Sequence, residues 1–254
     1  MAAWNSYAIL LRDAGSPNAD AIRRAFRVFR HLTDADAIRL AANAQGILMR
    51  HLRVDEAKAF HHALTQEGVN VALVKEEALH FLPASQRVQR LEFTPETLSV
   101  FDHLGQGTPL AWSEITLLAA GAVPHLEIGS PQAQPAAMER PAGLWPRRSG
   151  GPHQLKTGRL FILELVNAEG TKRFEIQAHE FHFVPLIPAA PTDSLMEKFV
   201  RLTRALVQRA PGAQLNRGAL DIREGVDLVR GYPSHQAMLD EIVWLWWNAK
   251  QTTH

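Results

Sequence analysis

The chain contains no cysteine among its 254 residues, which excludes disulfides, thiolate zinc sites, iron–sulfur clusters and cysteine nucleophiles. Long apolar runs are missing as well: no stretch approaches the roughly 18 uninterrupted apolar residues that a membrane-spanning helix needs. Excess charge of one sign is lacking, since Lys plus Arg number 27 against 26 Asp plus Glu, a net charge of +1. Such a chain has no global field for gathering DNA, RNA or an anionic membrane. Met1–Trp4 shows no basic segment leading into an apolar core, and the expectation is a cytoplasmic protein. Neither a Gly-x-Ser-x-Gly elbow nor a phosphate-cradling glycine loop with lysine occurs, so no nucleophile or nucleotide site is expected. What remains is 46% hydrophobic and 21% charged, the balance of a globular protein long enough for two hydrophobic cores.

The first 80 residues alternate strand-like and helix-like periods. Tyr7, Ile9 and Leu11 alternate along a strand that stops at Asp13–Pro17. Ala21 to His31 carries an apolar stripe of Ile22, Ala25, Phe26 and Phe29, with Arg23, Arg27 and Arg30 on the other side. Thr33-Asp34 opens a second helix that Gly46 ends, and Ile47 to Leu52 is the next strand. Asp55 starts a third helix with a stripe of Ala57, Phe60 and Leu64, Gly68 stops it, and Val69, Val71 and Leu73 alternate along a last strand. The order is β-α-α-β-α-β, with the helices stacked on one side of three strands.

The stretch "HLTDADAIRLAANAQGILMRHLRVDEAKAFHHALTQEGVNVALVK" resembles, helix for helix, the C-terminal domain of the bacterial ribosomal stalk protein, which binds translation factors. With "YAILLRD" and "SP" ahead of it, the same unit is also similar to the ClpS adaptor, which presents substrates to a Clp protease. The likeness covers residues 5 to 80 and implies a compact fold that binds proteins or peptides. At the functional positions the residues differ: His31-Leu32-Thr33 and Ala35 stand where the stalk domain has its glycine turn and lysine, and Arg12-Asp13 where ClpS has Asn-Asp.

A composition shift near Pro83–Arg87 places a boundary there, giving units 1–83 and 84–254. Val88–Phe93, the turn Thr94–Thr97 and Leu98–Asp102 form a hairpin. Leu110–Ala120, Leu126–Ile128, Arg159–Val166 and Arg173–Val184 add four strands. Gly129 to Gly158 holds five Gly and five Pro and is expected to be a disordered insertion between two strands of one sheet. Helices from Ser194 to Arg209 and from Ser234 onward close the chain. "LEFTPETLSVFD" followed by "PLAWSEITLLAAG" resembles the opening strands of the pleckstrin-homology-like fold, which implies an antiparallel barrel closed by a C-terminal helix. The expected class is α+β: a β-α-α-β-α-β sandwich, then that barrel.

His179-Glu180-Phe181-His182 is the most metal-like pattern. Its histidines are three apart and project to opposite faces of a regular strand, so they could share an ion only across a bulge at His179-Glu180. His61-His62 is an adjacent pair on a helix and reads as a solvated edge. Lipid headgroup binding needs cations in the Thr94–Thr97 turn, which carries Glu96 instead, with Arg87 and Arg90 on the incoming strand. Two surfaces are the candidate partner sites. One is the basic row Arg23, Arg24, Arg27 and Arg30, which suits an acidic segment, against a solvated face paired with Asp20 and Asp34. The other is Trp244 and Trp247, which share a face of a helix that is apolar nearly all round from Ile242; its alternatives are contact with the first unit or a homodimer.

The sequence therefore points to a non-enzymatic adaptor or scaffold for a protein or peptide partner, with no cofactor, no metal, no catalytic residue and no nucleic acid. A metal-dependent hydrolase using His179, Glu180 and His182 is the first alternative, and a membrane-surface regulatory protein the second.

Overall fold

The computed structural model describes residues 6–13, 15, 17–29, 33–79, 81–128, 155–183 and 193–252. The fold is α+β. In chain order, β1 (Tyr7–Leu11), α1 (Ala19–Ala25), α2 (Asp34–Ala42), β2 (Ile47–Leu52), α3 (Val54–Gln66) and β3 (Val71–Lys75) come first. β4 (Ser85–Arg87), β5 (Arg90–Phe93), β6 (Thr97–Phe101), β7 (Gly107–Ala111), β8 (Ile115–Ile128), β9 (Leu155–Asn167) and β10 (Arg173–Gln177) follow. The chain closes with α4 (Leu195–Arg209), β11 (Gln214–Leu215), α5 (Arg217–Arg223) and α6 (His235–Thr252).

Local chemistry sets the helix starts. Thr33 caps α2 in a reciprocal box with Asp36, and Ser194 caps α4 with Glu197. Asparagine does the same work at Asn18 and Asn216, whose side-chain oxygens accept from the first turns of α1 and α5. α1 is shorter than its apolar stripe suggests, because the chain tightens into a 3₁₀ turn at Phe26–Val28 that packs Phe26 and Phe29 against Phe60 of α3.

Three sheets result. β1 is central in the order β2-β1-β3, antiparallel to both neighbours. The second sheet runs β11-β8-β9-β10-β4, and the third is the meander β5-β6-β7. The expected barrel does not close: among the described residues these are open sheets. The larger one ends on strands of three and two residues, β4 and β11, too short to continue the ladder. Several boundaries also move: the strand expected over Arg173–Val184 stops at Gln177. Leu110–Ala120 is not one strand, since a turn at Trp112–Glu114 separates β7 from β8, and β8 then runs unbroken to Ile128. Residues 155–158, expected in the insertion, belong to β9, which pairs with β8 from Ile128↔Leu155 downward; the rest of the insertion, 129–154, lies outside the described residues.

The layers explain the Trp-rich C-terminal helix. Ile9 and Leu11 of β1 face α1–α3, whereas Ala8 and Leu10 on its other face pack against Val243 and Trp244 of α6. The opposite side of α6 lies on the large sheet, with Ile242 against Leu117, Ala119 and Val166, and Met238 against Val123 and Ile162. Beyond that sheet, its second face (Leu118, Ala120, Leu163, Leu165, Phe174, Ile176) forms the main core with the β5-β6-β7 sheet, α4 and α5. A helix gripped between two sheets must be apolar around most of its circumference, as this one is.

Candidate functional site

On the α6 side of the large sheet the strands carry charge. Side chains alternate along a strand, so Ile162, Glu164 and Val166 of β9 share a face, as do Arg173, Glu175 and Gln177 of β10. In register, Ala119, Glu164, Glu175 and Arg87 form one row across β8, β9, β10 and β4. Two carboxylates therefore stand directly opposite each other on neighbouring strands, an arrangement that repels.

The two glutamates are not equivalent. Glu164 is 0% exposed. His235 Nε2, at the first residue of α6, lies 2.9 Å from its Oε1, and Arg173 Nε is 3.5 Å from its Oε2. Burial pushes the Glu164 carboxyl up, and the pull of His235 and Arg173 does not reverse it. Glu175 is also driven upward by burial, but Gln177 Nε2 donates to it at 2.6 Å and Ser85 Oγ at 2.9 Å, and Arg87 Nε lies 3.4 Å away. Together these bonds outweigh burial and hold its carboxyl below the usual range. One ligand atom from each of Glu164, Glu175 and His235 lies within 4.8 Å of the others.

Arg173 joins this cluster to a groove of about 610 Å³ between the two halves of the molecule. Its α6 wall is Gln236, Leu239, Asp240 and Val243, one face of the helix by their spacing; its other wall is Ile47 to His51 of β2, with Phe81 and Leu82 at the rim. Phe81 is 86% exposed, a large aromatic left in water. Arg50 spans the groove to pair with Asp240 at 2.9 Å. His51 adopts φ 59° in the left-handed region, where its Nδ1 meets Glu76 at 2.9 Å; a non-glycine residue held there costs of order 1 kcal/mol or more.

The residues singled out in the sequence are placed as follows. Arg23 pairs with Asp20 at 3.3 Å, Arg24 reaches Glu67 at the end of α3 at 2.7 Å, and Arg27 joins them with Asp34 around a shallow depression. Arg30 lies outside the described residues. Trp244 is 2% exposed, and its indole N–H donates to the Leu11 carbonyl at 2.6 Å, so its surface is used within the chain. Trp247 is half-buried in the same cluster. His179, Glu180 and His182 do not form a metal-holding group among the described residues. Instead of a bulge, the chain leaves β10 in a turn that Glu180 N–H closes on the Gln177 carbonyl at 3.1 Å. Glu180 pairs with Arg87, and His182 N–H bonds the Gln89 carbonyl. The other cation near the Thr94–Thr97 turn, Arg90, lies over the Phe101 ring at 3.8 Å.

Glu164, Glu175, Arg173 and His235 were not apparent in the sequence. The alternation in "RFEIQ" has the look of a solvent-facing strand, and the α6 turn that covers it lies far along the chain. The one available signal is Glu164 itself, a lone charge inside the apolar run "LFILELVN". No family model, no curated protein and no solved structure matches the chain.

Proposed function

We propose that this protein is a non-enzymatic adaptor that holds a peptide segment of a partner protein in the groove between β2 and α6. The observation that carries this is the groove of about 610 Å³ with the solvent-exposed Phe81 on its rim. Apolar wall residues with a few charged groups among them, including the Arg50–Asp240 pair that crosses the groove, suit a peptide whose side chains anchor in pockets. β2 is an edge strand of its sheet, so an extended peptide has a row of backbone groups to pair with as well as side-chain contacts. The carboxylate pair behind Arg173 is closed to a substrate, because Glu164 has no exposed surface, which favours binding over turnover. The basic surface of α1 is the weaker candidate, since Asp20 and Glu67 already engage two of its arginines.

The test is a displayed peptide library panned against the wild-type chain and Phe81→Ser. Enrichment of a common apolar-anchored motif on the wild type, reduced about tenfold or more on the variant, supports the adaptor. No enrichment on the wild type, or equal enrichment on both, rejects it.

A further inference from the structure

Glu164 Oε2 is buried and accepts no hydrogen bond, and Arg173 Nε beside it donates none. Buried carboxylate oxygens seldom lack a hydrogen-bond donor, so this one, held only by the 3.5 Å ion pair with Arg173, marks a place where a further partner belongs. It sits where Glu175, the register neighbour, brings a second carboxylate and the α6 N-terminus brings an imidazole. Two oxygens and one nitrogen whose positions fall within 4.8 Å of one another can close on a common ion by side-chain adjustment, to bonds of about 2.0–2.2 Å.

We propose that Glu164, Glu175 and His235 form a binding site for one divalent transition-metal ion, with zinc the species that this imidazole-plus-carboxylate set suits. The ion would take the place of Arg173 as the counter-charge of Glu164 and turn the repulsion across β9 and β10 into shared ligation. Arg173, which also lines the groove, is the group a bound cation would displace toward it. Because Glu164 is fully buried, the site tethers the start of α6 to β9 and β10 and does not offer an open catalytic position. This inference stands apart from the peptide groove, and either can fail alone.

The test uses the full chain, stripped with chelator and dialysed, titrated calorimetrically with zinc chloride and, in parallel, manganese chloride. The expected result is one zinc per chain, with binding weakened at least about tenfold in Glu164→Gln and in His235→Ala. Glu164→Gln keeps the shape of the side chain, and His235 is about a third exposed, so circular dichroism can establish that each variant is folded. A His179→Ala/His182→Ala double variant should bind as the wild type does. No zinc uptake by the wild type overturns the proposal, as does uptake that survives Glu164→Gln and His235→Ala but disappears in the double variant. Manganese binding in place of zinc, with the same dependence on Glu164 and His235, supports the site with the harder ion.

Discussion

The two faces of the five-stranded sheet are built from the same strands and differ in almost every respect. One face presents Leu118, Ala120, Leu163, Leu165, Phe174 and Ile176 to α4, α5 and the small sheet. The other presents, among apolar neighbours, Glu164, Arg173, Glu175 and Gln177, all buried. The first face carries the generic driving force of folding, in which apolar area is removed from water. The second carries charge at an energetic cost that the fold tolerates, which is the pattern expected where structure serves a site.

The contrast yields an ordered set of predictions. The largest effect belongs to the apolar face: Phe174→Ala should lower unfolding stability by about 3–5 kcal/mol in urea denaturation, because a fully buried ring leaves a cavity. Truncating Arg173 to Met on the polar face should cost several kcal/mol if Glu164 stays ionised, since it strips a buried carboxylate of its cation. A loss as small as that of a surface substitution would mean that Glu164 needs no counter-charge.

Glu164→Gln should be mild by comparison, and its sign should depend on pH. A carboxyl raised by burial binds its proton more tightly when folded, so its contribution is complete in acid, below the unfolded value. That contribution is lost as pH rises through the raised folded value. With chelator present, the variant should therefore gain on the wild type as pH rises from the ordinary carboxylate range through the raised folded value. A variant that gains instead on acidification would show that the Glu164 carboxyl is held down, not up. The smallest effect is expected at an exposed helix end, at Ser194→Ala, which removes the α4 cap and should lower Tm by about 2–4 °C. Glu197, held below the usual range by bonds from Ser194, adds stability above the unfolded carboxyl value and loses it as pH falls through its folded value. The effect of the substitution should accordingly shrink in acid.

Much of the fold was legible because its signals are local. Thr33 and Ser194 announce helix starts through capping, Gly68 announces a stop in the left-handed region, and the stripe Ala57, Phe60, Leu64 marks the buried side of α3. The role of α6 was half legible: its apolar circumference is plain, but that Trp244 meets Leu11 across 233 positions is a tertiary fact. The polar face was hidden for a different reason. Arg173, Glu175 and Gln177 alternate as a solvated strand would, and it takes α6 packed on this face and β4 paired alongside β10 to turn exposure into burial. The turn at Ala178–Glu180 likewise has no local signal: Ala178 N–H still bonds the Phe161 carbonyl of β9 before the chain turns away, so the His-Glu-Phe-His spacing suggested a bulge that does not form.

The groove and the basic surface of α1 can be set against each other with one measurement. A peptide enriched on the wild-type chain would be titrated calorimetrically into wild type, Phe81→Ser, and Arg23→Glu/Arg27→Glu. Recognition between β2 and α6 predicts that Phe81→Ser weakens binding about tenfold or more while the double charge reversal leaves it unchanged. Binding that survives loss of the Phe81 ring but collapses on charge reversal would place the partner on α1 and contradict the account.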